Sequence, residues 1–121
     1  MGYRSDVAIS TTEEGYERLV AMCDEAGVEH PLVSSTVEPD FIERFEGSVV
    51  FGWNEIKWYE DLPDVGAVSK AVRALLEDDV PMAFVRVGED PEDIERWGKV
   101  DGLTAYPVPY VQRAGIETVY A

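Results

Sequence analysis

The chain has 121 residues, 45% of them hydrophobic and 11% aromatic, values that suit one folded domain and argue against intrinsic disorder. No apolar run approaches the roughly 20 residues that cross a bilayer, and one cysteine with one histidine excludes both an internal disulfide and an ordinary Cys/His zinc site. The 25 acidic against 10 basic residues give a formal net charge of −15, which works against direct binding to nucleic acid or an anionic membrane and leaves two readings, a cationic partner or an acidity that serves solubility or host adaptation alone.

Residues 3–10 alternate, with Val7 and Ile9 on one face, and predict a first strand. Thr11 and Glu14 stand in capping-box spacing ahead of Tyr16, Leu19, Val20, Cys23 and Ala26, a helical stripe that Gly27 is suited to end. Residues 28–40, with Pro31 and Pro39, have no period and read as an irregular connection. Residues 41–59 read as strand, turn at Gly47, strand. Pro63 opens a second helix whose Val65, Val68, Val72, Leu75 and Leu76 share a face, and Asp78-Asp79-Val80-Pro81 ends it. Residues 82–87 form a fourth strand, apolar enough at its start to be buried on both sides. Asp90-Pro91 reads as the cap and first position of a short third helix that reaches Trp97 and closes at Gly98. Residues 104–112 and 116–120 flank Ala114-Gly115 as a terminal hairpin, in which Pro107 and Pro109 demand an edge position or break the strand.

No repeat, low-complexity tract or linker divides the chain, so a single α+β domain over residues 1–121 is expected. The first six elements run β-α-β-β-α-β, the order of the ferredoxin-like sandwich, over residues 1–88. Residues 89–121 then form a C-terminal extension, the short helix and β-hairpin appendage, that covers or lengthens the sheet. With strand order fourth, first, third, second, one sheet end gathers Arg4, Asp6, Lys57, Trp58, Tyr59 and Arg86 beside Glu89 and Asp90. Such a cluster serves either as an ion-pair network that fixes the sheet end or as a small ligand-binding site, with the rings of Trp58 and Tyr59 available to lie under a guanidinium. The acidic run at residues 88–93 lacks the spaced ligands and distal Glu of an EF-hand loop, and no metal or cofactor is expected.

Three strings in order, Gly2-Tyr3-Arg4-Ser5-Asp6-Val7, Trp53 followed by Ile56-Lys57-Trp58-Tyr59, and Arg86-x-Gly88-Glu89-Asp90 with Asp93-Ile94, resemble a group of small acidic proteins encoded by phages, prophages and other mobile elements. The likeness spans residues 2–95 and leaves out residues 28–40 and everything after Trp97. It implies a genomic setting and carries no catalytic residues with it.

Catalysis has little to work with: His30 stands in a loop context, Cys23 lies on an apolar stripe, and there is no P-loop or helix-opening G-x-G-x-x-G. A non-enzymatic binding protein is therefore expected, acting in the host cytoplasm on a basic, nucleic-acid-binding host protein of a defence system, as an anti-CRISPR or anti-restriction inhibitor would. The candidate contacts are Glu13, Glu14, Glu17, Asp24 and Glu25 on the first helix, and Glu77, Asp78, Asp79, Glu89, Asp90, Glu92, Asp93 and Glu95 around the fourth strand. Area scaling gives about one net charge per 430 Å² of surface, against about one per 110 Å² on duplex DNA. Imitation of nucleic acid thus requires the acids to be gathered on one side. An immunity protein or antitoxin for a basic toxin, and a ligand-binding module built on Arg4 and Arg86, are the alternatives.

Overall fold

The computed structural model describes residues 2–90, 92–110 and 115–121 and shows an α+β fold. β1 (Ser5–Thr12) buries Val7 and Ile9 completely and leads directly into α1 (Glu13–Ala26). The helix is capped by Thr12, whose hydroxyl oxygen accepts the N–H of Gly15 at 3.0 Å. Thr11, which the spacing suggested as the cap, is instead buried in the strand and donates to the Pro81 carbonyl at 2.8 Å. Gly27 ends α1 in the left-handed conformation, as its position predicts.

The segment of residues 28–40 contains no helix or strand, yet it is docked: Val33 is fully buried and the Leu32 carbonyl accepts the Trp53 indole N–H at 3.2 Å. β2 (Phe41–Phe45) and β3 (Ser48–Ile56) form a hairpin through Glu46 and Gly47, both at positive φ, the geometry of a two-residue turn matched to strand twist. α2 (Pro63–Glu77) starts on Pro63 and buries Val65, Val68, Val72 and Leu75, and β4 (Met82–Gly88) follows.

The main sheet has the order β2-β3-β1-β4-β5, with every neighbouring pair antiparallel. Its last strand, β5 (Ile94–Lys99), overturns the helix expected from Asp90 to Trp97; Pro91, the expected first helical position, lies outside the described residues. Six residues are too few for periodicity to separate helix from strand, and β4 offers an unpaired edge. Pairing there sets Trp97 opposite Phe84, where the rings stack at 4.2 Å, and Glu95 opposite Arg86. Gly98 does not close a helix. It sits at φ 81° where an added Cβ would stand 2.1 Å from the Met82 carbonyl oxygen, so only glycine lets β5 pass.

β6 (Ala105–Tyr110) and β7 (Gly115–Tyr120) form a separate two-stranded sheet. The expected extension of the strand to Gln112 and the turn residue Ala114 lie outside the described residues. Pro107 and Pro109 remain within the ladder, in a sheet with no third strand to lose a donor to. Side chains alternate across the main sheet. Val7, Ile9, Val49, Phe51, Trp53, Met82 and Phe84 join the helices in the principal core. Ala8, Ser10, Val50, Ala83 and Val85 are also buried, on the opposite face. That second face is covered by the β6–β7 hairpin: the Ser10 hydroxyl donates to the Ala105 carbonyl, Thr104 N–H donates to Ser48 Oγ at 2.9 Å, and the Tyr120 ring meets Phe45 edge-on at 4.8 Å. Small residues on this face let two sheets approach closely.

Ser10→Ala removes the donor from a fully buried carbonyl while keeping the volume small. Urea unfolding is expected to show a loss of about 1–3 kcal/mol, and an unchanged midpoint would mean that the hairpin does not depend on this bond.

Candidate functional site

The register fixes which segments share a sheet end. Ser5 is paired with Gly88 and with Ile56, so the residues before β1, after β3 and after β4 converge. Arg86 is the centre of that convergence, with its side chain only 16% exposed. Its Nε donates to Glu95 Oε1 at 2.9 Å, Nη2 to Asp93 Oδ1 at 2.8 Å, and Nη1 to both Ser5 Oγ at 3.0 Å and Asp93 Oδ2 at 3.2 Å. Asp93 thereby receives the bidentate fork for which a guanidinium is shaped. Tyr3 completes the network, donating its hydroxyl to Asp93 Oδ2 at 2.8 Å while accepting the Asp90 N–H, and its own N–H donates to the Tyr59 hydroxyl at 2.6 Å. Hydrogen bonds from Arg86 and then Tyr3 hold the Asp93 carboxyl below the usual carboxylate range, and the Asp93 bond holds Arg86 above its own.

Arg4 works mainly through the backbone: its N–H donates to Glu89 Oε2 at 2.7 Å and its Nη1 to the Glu55 carbonyl at 2.9 Å. Glu55 is the irregular residue between the paired positions Trp53 and Ile56, at φ 50°, and Asp6 Oδ1 accepts its N–H at 2.9 Å. Together these groups border a shallow cavity of about 190 Å³. Among the described residues Lys57 has no ion-pair partner, and its stem passes Gly2. Trp58 is not at the surface of the cluster. It is buried in the principal core between Trp53 and Phe84, each 5.8 Å away, because the chain turns inward after β3. The rings that do lie under guanidinium groups are Trp97, beneath Arg73 at 4.5 Å, and Tyr16, beneath Arg44 at 5.7 Å. Apart from the Lys57 ammonium, the sheet-end donors and acceptors named above meet each other.

The acidic candidates divide between the two ends of the sheet. Glu89, Asp90, Glu92, Asp93 and Glu95 follow β4 and lie at the Ser5 end of β1, where Asp93 and Glu95 pair with Arg86, Glu89 caps Arg4, and Asp90 accepts the Glu92 N–H within its own turn. Glu13, Glu14, Glu17, Glu77, Asp78 and Asp79 lie at the Thr12 end, where α1 begins and α2 finishes, roughly 25 Å away by the rise of an eight-residue strand. There Arg44 pairs with Glu13 at 3.0 Å and Arg18 with Asp78 at 2.6 Å. Glu14, Glu17, Glu77 and Asp79 are exposed, and among the described residues their carboxylates have no cationic partner. Asp24 is structural, accepting from the N–H and hydroxyl of Ser35 and so tying α1 to the following segment, while Glu25 is exposed.

Arg18 and Arg44 relieve the Thr12 end only in part. The last turn of α2 carries no basic residue, and Glu77, Asp78 and Asp79 crowd the negative pole of its dipole. The N–H groups of Asp78, Asp79 and Val80 fold back on the carbonyls of Ala74, Leu75 and Leu76, which fixes these acids in place, with Asp79 at φ 59°.

Cys23 is buried and its thiol is pushed up to about 11 by burial, which suppresses the nucleophilic thiolate. His30 is exposed beside Glu29. Among the described residues no group of three or more His, Cys, Asp or Glu side chains is placed to hold a metal ion, and no helix is long and apolar enough to cross a membrane. No family model, curated protein or solved structure matches the chain.

The sequence places residues 3–6 at one end with Lys57, Tyr59 and Arg86, but it gives Tyr3 and Ser5 no part in the charge network there and does not point to Glu55. Tyr3 lay in the right segment and its hydroxyl was the available signal. The bulge at Glu55 had none.

Arg86→Ala is expected to cost about 1–3 kcal/mol in urea unfolding, because it removes the guanidinium that Ser5, Asp93 and Glu95 share while the two carboxylates, each about a third exposed, regain some water. Because the folded Asp93 carboxyl titrates lower than in the unfolded chain, its contribution is present above the ordinary carboxylate range and is lost as pH falls through the folded value. Asp93→Asn should therefore flatten the acid limb of a stability-against-pH curve; an identical limb would remove Asp93 from the account.

Proposed function

We propose that the chain is a non-enzymatic acidic binding protein that engages a basic surface on a protein partner through the Thr12 end of the helical layer. The single observation that carries this reading is the set of exposed carboxylates of Glu14, Glu17, Glu77 and Asp79, gathered where α1 starts and α2 ends and, among the described residues, without an ion-pair partner. Acids at a helix C-terminus destabilise the fold, by about 0.3–1 kcal/mol each at low salt. Such placement favours a cationic partner that relieves it. The partner class that fits best is a nucleic-acid-binding protein, whose groove is basic for the same electrostatic reason. The strand order β2-β3-β1-β4 with two helices on one face supports a ferredoxin-like sandwich as the scaffold.

The charge layout narrows the mechanism. A mimic that follows a duplex along a groove needs one continuous run of acids, whereas here, at the Ser5 end, Asp93 and Glu95 are engaged by Arg86 and Glu89 by the Arg4 backbone N–H. We therefore favour a local plug over a groove-length imitation. The likeness to small mobile-element proteins sets this activity in a phage-infected or element-bearing cell, as an inhibitor of a cytoplasmic defence protein. An immunity protein would use the same end against a basic toxin.

Affinity capture from host lysate tests the reading. Basic nucleic-acid-binding proteins are expected to be retained at low salt and displaced by added duplex DNA; capture that ignores both salt and DNA would count against it. Glu77→Lys separates binding from folding, since it should raise thermal stability at low salt by several tenths of a kcal/mol while weakening capture. Molar salt should raise the melting temperature of the unaltered protein by screening its −15 net charge and should narrow the gap to the variant.

A further inference from the structure

We propose that the groove between the end of α2 and the end of β5 receives a single lysine or arginine side chain of the basic partner. This rests on the reading of the chain as a binding protein for a basic surface and names the contact within it. The groove has a volume of about 420 Å³. Leu76, Val80 and Pro81 supply apolar lining, and Asp79, Asp101 and Lys99 line the same groove. Methylene stems of long cationic side chains settle on apolar surface while their charged ends seek carboxylates and water. The groove offers both kinds of lining.

Three features fit this occupant better than a neutral one. Among the described residues the carboxylates of Asp79 and Asp101 have neither a hydrogen-bond nor an ion-pair partner. The negative pole of the α2 dipole lies beside the groove with no basic residue in the last turn of the helix. Gly98 keeps the groove open, because a Cβ there would come within 3.0 Å of the Leu76 side chain. Lys99 is the one resident cation on the lining, and it repels an incoming ammonium or guanidinium. It therefore sets how tightly the groove binds.

The test uses the full chain and a hexalysine peptide at low salt, followed by amide chemical-shift mapping and by titration. Shifts are expected to centre on Leu76, Val80, Gly98, Lys99 and Asp101. Asp79→Asn and Asp101→Asn should each weaken binding about threefold, and Lys99→Ala should tighten it about twofold. Asn keeps the positive φ at position 79 accessible, and tightening by Lys99→Ala is an outcome that loss of folding cannot produce. Shifts confined to Glu14 and Glu17, with Lys99→Ala neutral, would overturn the groove and leave the acidic binding surface standing. Absence of any hexalysine binding would overturn both.

Discussion

The central strands β1, β3 and β4 must be kept dry on two faces at once, and the arrangement of the whole chain follows from that requirement. Helices alone cannot satisfy it. They cover Ile9, Phe51 and Phe84, but Ala8, Ser10, Val50 and Val85 point the other way and would meet water without the β6–β7 hairpin. The last part of the chain is therefore integral to the core. It lengthens the sheet through β5 and closes the second face through Ala105 and Thr104. The polar atoms that this closure buries, such as Ser10 Oγ and the Ala105 carbonyl, find each other, which is the condition for burying them without a large penalty.

The same logic governs the charges. Where a cation is largely buried, as Arg86 is, it is surrounded by acceptors on three elements, and the network holds the start of β1, the end of β4 and the turn before β5 together. Where acids are exposed, at the start of α1 and the end of α2, the ion pairs among the described residues are those of Arg18 with Asp78 and Arg44 with Glu13. One end of the sheet uses its charge to hold the structure, and the other presents it. A net charge of −15 by itself does not distinguish these uses. The division of roles comes from which acids the register places beside an arginine.

The groove at the end of β5 belongs to this division. It exists because β5 is a strand, because Gly98 lets it approach Met82, and because α2 stops at Asp78 short of it. Had residues 90–97 formed a helix, Asp101 and Asp79 would have had no common cleft to border.

Local signals in the sequence determined most of the elements. The apolar stripes gave both helices, Gly27 the αL stop after α1, Gly47 the tight turn, and period-two alternation the first strand, because each depends on residues within a turn or two of one another. The acidic excess and the lone buried thiol were equally legible. Tertiary structure alone decided the rest. The six residues of β5 became a strand because the open edge of β4 outweighed a weak helical pattern, and Thr12 replaced Thr11 as cap because Thr11 was needed against Pro81. Trp58 went inward, Val33 joined the core from an irregular segment, and Tyr3 found Asp93 ninety positions away. Such contacts depend on how strands are aligned across a sheet, and alignment is a property of the packed whole that no short window of residues contains.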